Sequence, residues 1–325
     1  MKIKGVHEEE VKIFLEKNYN LEIIEIDYHP IGENSVSYII KTKKKKYFAK
    51  VFGKGPEYRS IRKIKIFINF LYEINKKYNF NYAPFPIQNK NKNLISRFNG
   101  FPVILEKFLP GKNPKNFTKL DYKILGKILG ELHNISPSKF GKIRKELLNL
   151  RWESKILKII KSIKDKELKY GGEIELKKIL QIKEETFRNA VKFLKNNKNL
   201  ITNRERNYVV VHEDIHPGNI IKNKKELHLI DWEGVQLALP ERDLMWFRKG
   251  LGLNSDFEKE YGKYREKNYK INKKIIKFYT IKRLLSDITY FSGGIIFRKE
   301  SAREERGYLR EIQSEIQELE ETLKL

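Results

Sequence analysis

Four polar residues of the kinds that carry out chemistry lie in the stretch VVVHEDIHPGNIIKNKKELHLIDWE, which runs from Val209 to Glu233. They are His212, Asp214, Asn219 and Asp231. Apolar runs flank them and predict short buried strands, which places the polar residues at strand ends and in loops. A stable fold does not require this combination, so the stretch indicates a functional site.

The second half of the stretch predicts a hairpin that carries metal ligands. IIKNKKELHLI consists of two apolar runs separated by a polar turn, so Asn219 and Asp231 can face one another from its two strands. An amide oxygen and a carboxylate suit a hard cation such as Mg²⁺, which takes few protein ligands and completes its shell with water and phosphate. We therefore expect Asn219 and Asp231 to bind Mg²⁺.

The loop before the hairpin holds a candidate catalytic carboxylate. Asp214 is placed to orient a hydroxyl nucleophile, and His212 is predicted to organise the loop through a side-chain hydrogen bond, as is His216. HEDIHPGN followed by LIDWE has the spacing of a kinase catalytic loop and its metal-binding aspartate. Phosphoryl transfer at such a site depends on alignment and on neutralisation of charge.

Lys50, in YFAKVF, is the candidate cation for the nucleotide phosphates. On a strand it shares a face with Phe48 and Phe52, so it is expected on a buried side rather than among solvated lysines. Glu57, at the start of the next helix, is the expected ion-pair partner, and Glu73 is the alternative. The preceding loop, IGENSVS, would cover the phosphates.

The elements that must position these residues divide the chain into two differently built regions. Residues 21–52 alternate apolar and polar residues as an antiparallel meander does, a helix follows, and APFPIQNKNKNLISRFNGFPVILEKF returns to strands around an Asn/Lys turn. After the crossing segment LEKFLPGKNP the chain is mainly helical, and only the stretch from 209 to 230 interrupts with strands. The last helix could form a coiled-coil seam, but packing within its own domain is favoured.

These patterns predict an α+β fold of two lobes. Residues 1–105 form a small antiparallel-sheet lobe that binds nucleotide, and residues 106–325 form a larger helical lobe for catalysis and substrate. The hinge is expected at about residues 105–112.

The composition is that of a folded, strongly basic chain. Of the 325 residues, 40% are hydrophobic, which is enough for a sizeable core. Lys and Arg number 68 against 42 Asp and Glu, which gives a formal net charge of +26. The lysines are spread along the whole chain rather than gathered in one arm, so we expect a solvated basic surface and no specific nucleic-acid partner.

Cysteine is missing, which excludes disulfides, cysteine-based zinc sites and thiol nucleophiles. The amino terminus has acidic residues and an amphipathic helical period where a secretory signal has an apolar run, and no segment approaches about 20 consecutive apolar residues. We expect a cytoplasmic protein with no membrane partner. The oligomeric state is left open.

VHEDIHPGNII and LIDWEGVQLALPERDLMWF together resemble the aminoglycoside phosphotransferase superfamily, and the ERDLM continuation is most similar to its spectinomycin-type branch. The likeness includes YFAKVF, FPVILEKFLPG, LGKILGELHNI and KFYTIKRLLSDITYF. It implies a protein-kinase-like fold with ATP, or alternatively GTP, between two lobes.

The resemblance also implies roles for individual residues. Asp214 would be the catalytic base and Lys50 would contact the phosphates, with Mg²⁺ held by Asn219 and Asp231. The backbone at Leu105, Glu106 and Lys107 would meet the adenine.

This sequence departs from the family's pattern at two places, and the resemblance implies a role for one further residue. The family more often has glycine where Glu213 stands, and the helix after Lys50 lacks a glutamate at an unambiguous position. Asp243, in the family's habit, braces the catalytic loop.

The function expected from these residues is ATP- and Mg²⁺-dependent phosphorylation of a hydroxyl group on a small molecule, with an aminocyclitol or aminoglycoside as candidate acceptor. Glu233 and Glu241 are candidates for the rim of an acidic pocket that would take a cationic acceptor. The alternatives are a metabolic or spore-coat-type kinase with a choline-like, amino-alcohol or homoserine substrate, and a non-catalytic nucleotide-binding module.

Overall fold

The computed structural model describes residues 6–30, 35–53, 60–140, 143–164, 167–168, 171–250, 252–265, 269–298 and 301–325. The chain forms two compact units. The first comprises residues 1–144, 210–237 and 259–265, and the second comprises residues 145–209, 238–258 and 266–325. Every described residue predicted as catalytic, cofactor-binding or metal-ligating lies in the first unit, whereas Glu241 and Asp243 lie in the second. The division into two lobes near residue 105 stays a prediction.

The helices of eight or more residues are α1 (Glu8–Tyr19), α2 (Ile61–Tyr78), α3 (Lys119–Asn134), α4 (Lys155–Lys164), α5 (Gly171–Ile182), α6 (Glu184–Asn197), α9 (Ser255–Tyr264), α10 (Lys273–Gly293) and α11 (Ala302–Lys324). Two shorter helices are α7 (Asn199–Thr202) and α8 (Glu241–Leu244). The strands are β1 (Ile23–His29), β2 (Ser35–Thr42), β3 (Lys46–Phe52), β4 (Ser96–Phe98), β5 (Phe101–Lys107), β6 (Val209–Val211), β7 (Ile220–Asn223), β8 (Glu226–Leu229), β9 (Gln236–Ala238), β10 (Arg248–Lys249) and β11 (Gly252–Leu253).

The first unit is built on a five-stranded antiparallel sheet in the order β1-β2-β3-β5-β4. The predicted alternation holds in β3, where Ala49 and Val51 are fully buried in the core. Val11 and Leu15 of α1 pack into the same core. The intervening residues of β3 therefore face the other side, and Lys50 is one of them.

The Asn/Lys turn expected at residues 88–93 is present, and Asn89 N–H donates to Asn93 C=O at 2.9 Å across it. A second turn, at Asn99 and Gly100 with positive φ angles of 48° and 77°, joins β4 to β5. Two positive φ angles suit a two-residue hairpin, because its twist matches that of the flanking strands. The earlier segment instead touches β5 through an isolated bridge between Pro86 and Glu106.

The hairpin predicted to carry the metal ligands is present. β7 pairs with β8 in antiparallel register, with Ile220 opposite Leu229 and Asn223 opposite Glu226. The small sheet, this hairpin and the largely helical remainder confirm the predicted α+β class.

The second unit is mainly helical, and its most extensive contact between helices is the one that joins α10 to α11. The apolar residues that recur along α11 are buried in this unit: Leu309, Ile312, Ile316 and Leu319. Packing within the chain therefore accounts for the heptad-like pattern. Among the described helices, none is both long and apolar enough to cross a membrane.

Candidate active site

β3 carries Lys50 into a position enclosed by carboxylates. Its side chain is 16% exposed, and Nζ lies 3.5 Å from Oε1 of Glu233 and 3.9 Å from Oδ1 of Asp231. Burial opposes the charge of Lys50, but the carboxylates of Asp231, Glu233 and Glu106 outweigh it and raise the pKa of the lysine above its usual value. Lys50 is therefore a fixed cation of the kind that binds phosphate oxygens.

Lys50 has a carboxylate partner that was not among the two expected, while the expectation for Glu57 stays a prediction. Glu57 lies outside the described residues, and the carboxylate of Glu73 lies 3.7 Å from Lys77 in an ion pair along α2. Glu233, whose side chain is 8% exposed, lies beside Lys50, although the two residues are 183 positions apart in the sequence. No local pattern could have identified a pair of that separation.

Glu106 adds a third carboxylate to this face of the sheet. Its neighbour across the sheet is Phe48, two residues before Lys50, so Glu106 and Lys50 point to the same face. The residue is 5% exposed, and burial raises the pKa of its carboxyl to about 7, with the charges of Glu233 and Asp231 adding to the rise and that of Lys50 opposing it. One ammonium thus faces three carboxyl groups, an imbalance that a divalent cation would offset.

The backbone predicted to meet adenine already has hydrogen-bond partners within the unit. Leu105 C=O accepts a hydrogen bond of 2.8 Å from Ile87 N–H, and Lys107 N–H donates one of 2.9 Å to Phe85 C=O. These bonds belong to the contact between β5 and the preceding segment. A role of Leu105, Glu106 and Lys107 at the base stays a prediction.

The loop that leads into β7 brings Asn219 and Asp214 together. Ile230 N–H donates to Asn219 C=O at 2.9 Å, which places Asn219 at the open end of the hairpin beside the residue that precedes Asp231. Nδ2 of Asn219 donates to both the C=O and Oδ2 of Asp214, each at 3.0 Å. Because the amide nitrogen is committed to Asp214, the amide oxygen is the end of this side chain that can ligate a cation.

The carboxylate of Asp214 is accessible as well as oriented. Its side chain is 52% exposed, and Oδ2 lies 3.6 Å from Nε2 of His216. Nδ1 of His216 accepts a hydrogen bond of 3.1 Å from Gly218 N–H. His216 therefore holds the turn between Asp214 and Asn219, as predicted from the sequence.

His212 is a positioning residue at the base of this loop. It is fully buried, its Nδ1 accepts a 3.3 Å hydrogen bond from Asp214 N–H, and its Nε2–H donates to Ile230 C=O at 2.9 Å. Accepting at Nδ1 requires the proton to sit on Nε2, which fixes the tautomer. The ring thus ties the backbone of the catalytic loop to the segment that carries Asp231.

Asp231 is presented by a turn that Trp232 anchors. The aspartate has left-handed backbone angles, φ 63° and ψ 56°, a conformation that Asp tolerates better than most residues, and its side chain is 49% exposed. The Trp232 indole N–H donates to Leu229 C=O at 2.7 Å, and its ring packs against Phe70 and Phe80. The buried tryptophan leaves the preceding carboxylate at the surface of the site.

The backbone at Glu213 has a conformation that favours glycine, the residue that the resemblance described above implies at this position. Its φ is 86°, a region that L-residues adopt at a cost and glycine adopts freely. This chain has glutamate at position 213, although the backbone there has a conformation that favours glycine.

The residues present fit a magnesium ion. Among the described residues, no group of three or more His, Asp or Glu side chains forms a metal site made of protein ligands alone. Mg²⁺ does not need such a group, because water and phosphate complete its shell. The predicted ligands, Asn219 and Asp231, supply two hard oxygen donors, which is the small protein contribution that Mg²⁺ usually takes.

Of the two glutamates considered for a substrate rim, Glu241 is fully buried and Glu233 has a side chain that is only 8% exposed. Glu233 lies against Lys50, and Glu241 accepts hydrogen bonds from the Tyr269 hydroxyl at 2.6 Å and from Asn272 N–H at 2.9 Å within the second unit. Neither is an exposed pocket rim. Asp243, expected to brace the loop, is fully buried in α8.

Comparison with known proteins supports this chemistry. A model of the phosphotransferase enzyme family matches residues 28–268. A crystal structure of a spectinomycin phosphotransferase in complex with ADP and spectinomycin shares 20% identity and a TM-score of 0.79 with this chain, and covers 99% of this chain and 100% of that one. The AMP-bound complex of that enzyme gives 22% identity, a TM-score of 0.80 and 98% coverage of both chains.

A choline kinase from Streptococcus pneumoniae has the same fold, with 16% identity, a TM-score of 0.60, and coverage of 96% of this chain and 98% of that chain. No curated protein sequence matches. Identities at this level show a shared fold, whereas the family match spans well over half of the sequence. The chain therefore belongs to the phosphotransferase enzyme family.

Proposed function

We propose that this chain transfers the γ-phosphoryl group of a Mg²⁺-bound nucleoside triphosphate, ATP or GTP, to a hydroxyl group of a small molecule. Membership of the phosphotransferase family supports the reaction class. The observation that carries the proposal is the convergence in one unit of Lys50, Asp214, Asn219 and Asp231, joined by the contacts described above.

Each of these residues has a role that its geometry supports. Lys50, held among carboxylates, binds phosphate oxygens of the nucleotide. Asp214 accepts a hydrogen bond from the acceptor hydroxyl and takes its proton as the new O–P bond forms. The bond between the γ-phosphorus and the β–γ bridging oxygen breaks, and the nucleoside diphosphate leaves. Asn219 orients Asp214 through its amide nitrogen, and its amide oxygen together with the carboxylate of Asp231 would hold the cation.

Mg²⁺, when bound, neutralises charge on the transferring phosphoryl group and holds it in line with the acceptor. The protein contributes alignment, because the loop from Asp214 to Asn219 is fixed by hydrogen bonds at both ends.

An aminocyclitol is the acceptor class that we favour. The likeness to a spectinomycin phosphotransferase covers almost the whole of both chains, and its TM-score exceeds that of the choline kinase. A choline-like amino alcohol is the second candidate, because the choline kinase also matches over nearly its full length.

The test is a screen of turnover and thermal shift with Mg·ATP and Mg·GTP against spectinomycin, aminoglycosides, choline-like amines and homoserine. Product from an aminocyclitol is expected, and product from choline alone would move the assignment to the second candidate. A nucleotide that neither shifts the melting temperature nor is consumed would contradict the proposed function.

Two variants, assayed in the same screen, test the catalytic role of Asp214 separately from the metal-binding role of Asp231. Asp214→Asn is expected to bind Mg·nucleotide almost normally and to lose turnover by about 10²-fold or more, because proton acceptance and alignment are lost together. Asp231→Ala is expected to weaken Mg·nucleotide binding itself. Turnover retained by Asp214→Asn, or an unchanged Mg·nucleotide titration for Asp231→Ala, would remove the corresponding role.

A further inference from the structure

The segment after β5 holds the catalytic loop through one exposed side chain. Nδ2 of Asn113 lies 2.7 Å from Gly218 C=O, 2.9 Å from Ile220 C=O and 3.3 Å from Pro217 C=O. A side-chain amide has two hydrogens, so the two shorter contacts are the main bonds and the third is shared. These carbonyls lie on both sides of Asn219, the predicted metal ligand.

The neighbouring residues dock the same segment by backbone contacts. Lys112 N–H donates to Lys222 C=O at 3.1 Å, and Lys222 N–H donates to Lys112 C=O at 2.9 Å. Gly111 has φ 139°, and a Cβ there would come within 2.4 Å of the Lys222 carbonyl oxygen. The close approach thus depends on glycine, and residues 111–113 act as a docking segment for β7.

The far side of this contact is anchored to a helix. Nζ of Lys222 lies 2.6 Å from Oδ2 of Asp121, whose side chain is 2% exposed. Asp121 also closes the capping box of α3 with Thr118. The strand that follows Asn219 is therefore held between the docking segment and the amino-terminal turn of α3.

We propose that Asn113 is a positioning residue for phosphoryl transfer, which sets the backbone of Pro217–Ile220 and thereby the amide oxygen of Asn219 and the carboxylate of Asp214. The inference rests on the proposed function. Alignment is the main protein contribution to phosphoryl transfer, and a displacement of about 1 Å can cost about 10²-fold in rate. Three carbonyls gathered by one amide are a means of preventing such a displacement.

The experiment compares Asn113→Ala and Asn113→Asp with a matched control, Asn75→Ala. Nδ2 of Asn75 likewise donates to two backbone carbonyls, those of Leu71 and Pro84, in the first unit. The Asp variant keeps the shape but replaces the donor by an anion that the carbonyls repel. If Asn113→Ala is unfolded at the assay temperature, Asn113→Ser, which keeps a shorter donor, replaces it.

The first readout does not depend on turnover. Amide hydrogen exchange at Gly218 and Asn219 is expected to rise about tenfold in both Asn113 variants and to stay unchanged in Asn75→Ala, because these amides bond within the held turn. Exchange at the wild-type rate in Asn113→Ala would overturn the inference. A wild type without turnover on any acceptor would count against the proposed function and would leave this readout intact.

The second readout separates positioning from stability. At saturating nucleotide, kcat of the Asn113 variants is expected to fall roughly 10- to 100-fold, and the Mg²⁺ concentration for half-maximal rate to rise about threefold or more. Asn75→Ala is expected to lose stability only. Turnover of folded Asn113→Ala within twofold of wild type, or a fall in kcat at an unchanged Mg²⁺ midpoint, would show that Asn113 does not position the metal ligand.

Discussion

At the scale of single residues, the site is defined by one lysine among three carboxyl groups. Asp231 and Glu233 come from a turn after β8, and Glu106 comes from the strand beside Lys50. The carboxyl groups of Glu106 and Glu233 have little exposure to solvent, and placing them beside the half-exposed Asp231 is unfavourable unless a cation compensates their charge. The charge balance of these side chains therefore favours a site that binds Mg·nucleotide.

Glu106 gives a pH-dependent prediction. Its folded pKa of about 7 is raised above the ordinary value, so the folded state binds more protons than the unfolded state between those two values. The free energy of unfolding must then fall as pH rises from about 4.5 to 7. Glu106→Gln removes this titration and is expected to be the more stable form at pH 8, by up to about 3 kcal/mol.

Chemical denaturation of wild type and Glu106→Gln at pH 5 and pH 8 checks this expectation. The advantage of the variant should be smaller at pH 5, where the wild-type carboxyl is largely protonated. An advantage of the same size at both pH values would mean that Glu106 titrates in its ordinary range.

Glu233 is expected to matter for catalysis by orienting Lys50. Glu233→Gln removes the charged partner at 3.5 Å and should lower kcat/KM for Mg·nucleotide by about tenfold, because the ammonium loses a fixed direction. Glu73→Gln is the control, since Glu73 pairs with Lys77 on α2. Equal activity of the two variants in steady-state assays would assign Lys50 a different anchor.

At the scale of elements, strand pairing and one close backbone approach assemble the site. The register of β3 against β5 sets Lys50 and Glu106 on one face, and the β7–β8 register sets Asn219 beside Ile230. Residues 111–113 then fix β7 from outside the hairpin. The loop is therefore held by elements distant in sequence.

Gly111→Ala tests that close approach. The positive φ and the 2.4 Å contact with the Lys222 carbonyl should make the variant less stable by roughly 2 kcal/mol or more. Gly262→Ala, where an added Cβ meets nothing within 4 Å on helix α9, is the matched control and should be neutral or stabilising by up to about 1 kcal/mol. Thermal unfolding of both variants decides the matter, and similar melting temperatures would show that β7 can move away from residue 111.

At the scale of the whole molecule, the net charge of +26 affects association more than fold. Lysines spread over the whole sequence attract any polyanion weakly and without a defined register. Phosphate binding at the proposed site would be a separate property, because it would depend on Lys50 in its enclosed position.

Salt separates these two properties. Binding of a labelled DNA duplex is expected at 25 mM salt and should be lost at about 250 mM, because it depends on counterion release. Mg·nucleotide binding should persist at the higher salt. Fluorescence anisotropy with two unrelated duplexes checks this, and tight binding of only one of them at 250 mM would reveal a specific nucleic-acid partner.

Local periodicity and spacing were enough to predict several elements of this protein. Alternation predicted β1 to β3, helical periods predicted α1, α2 and α3, and the polar turn in IIKNKKELHLI predicted the hairpin that carries Asn219 and Asp231. These features follow from the geometry of a strand, a helix or a two-strand turn, which neighbouring residues define. The α+β class followed from them, whereas the phosphotransferase family was indicated by the resemblance of VHEDIHPGNII and LIDWEGVQLALPERDLMWF.

The tertiary structure alone decided which distant residues meet. Two contacts join positions more than 100 residues apart: Glu233 with Lys50, and Asn113 with the carbonyls of Pro217–Ile220. Asn113 is an exposed residue in a segment that the sequence predicted only as the crossing between two regions. Local sequence patterns indicate which face of a helix or strand is buried, but they do not indicate which other element packs against that face. The partners of the site residues therefore became known only when the sheet, the loop and the docking segment were seen together.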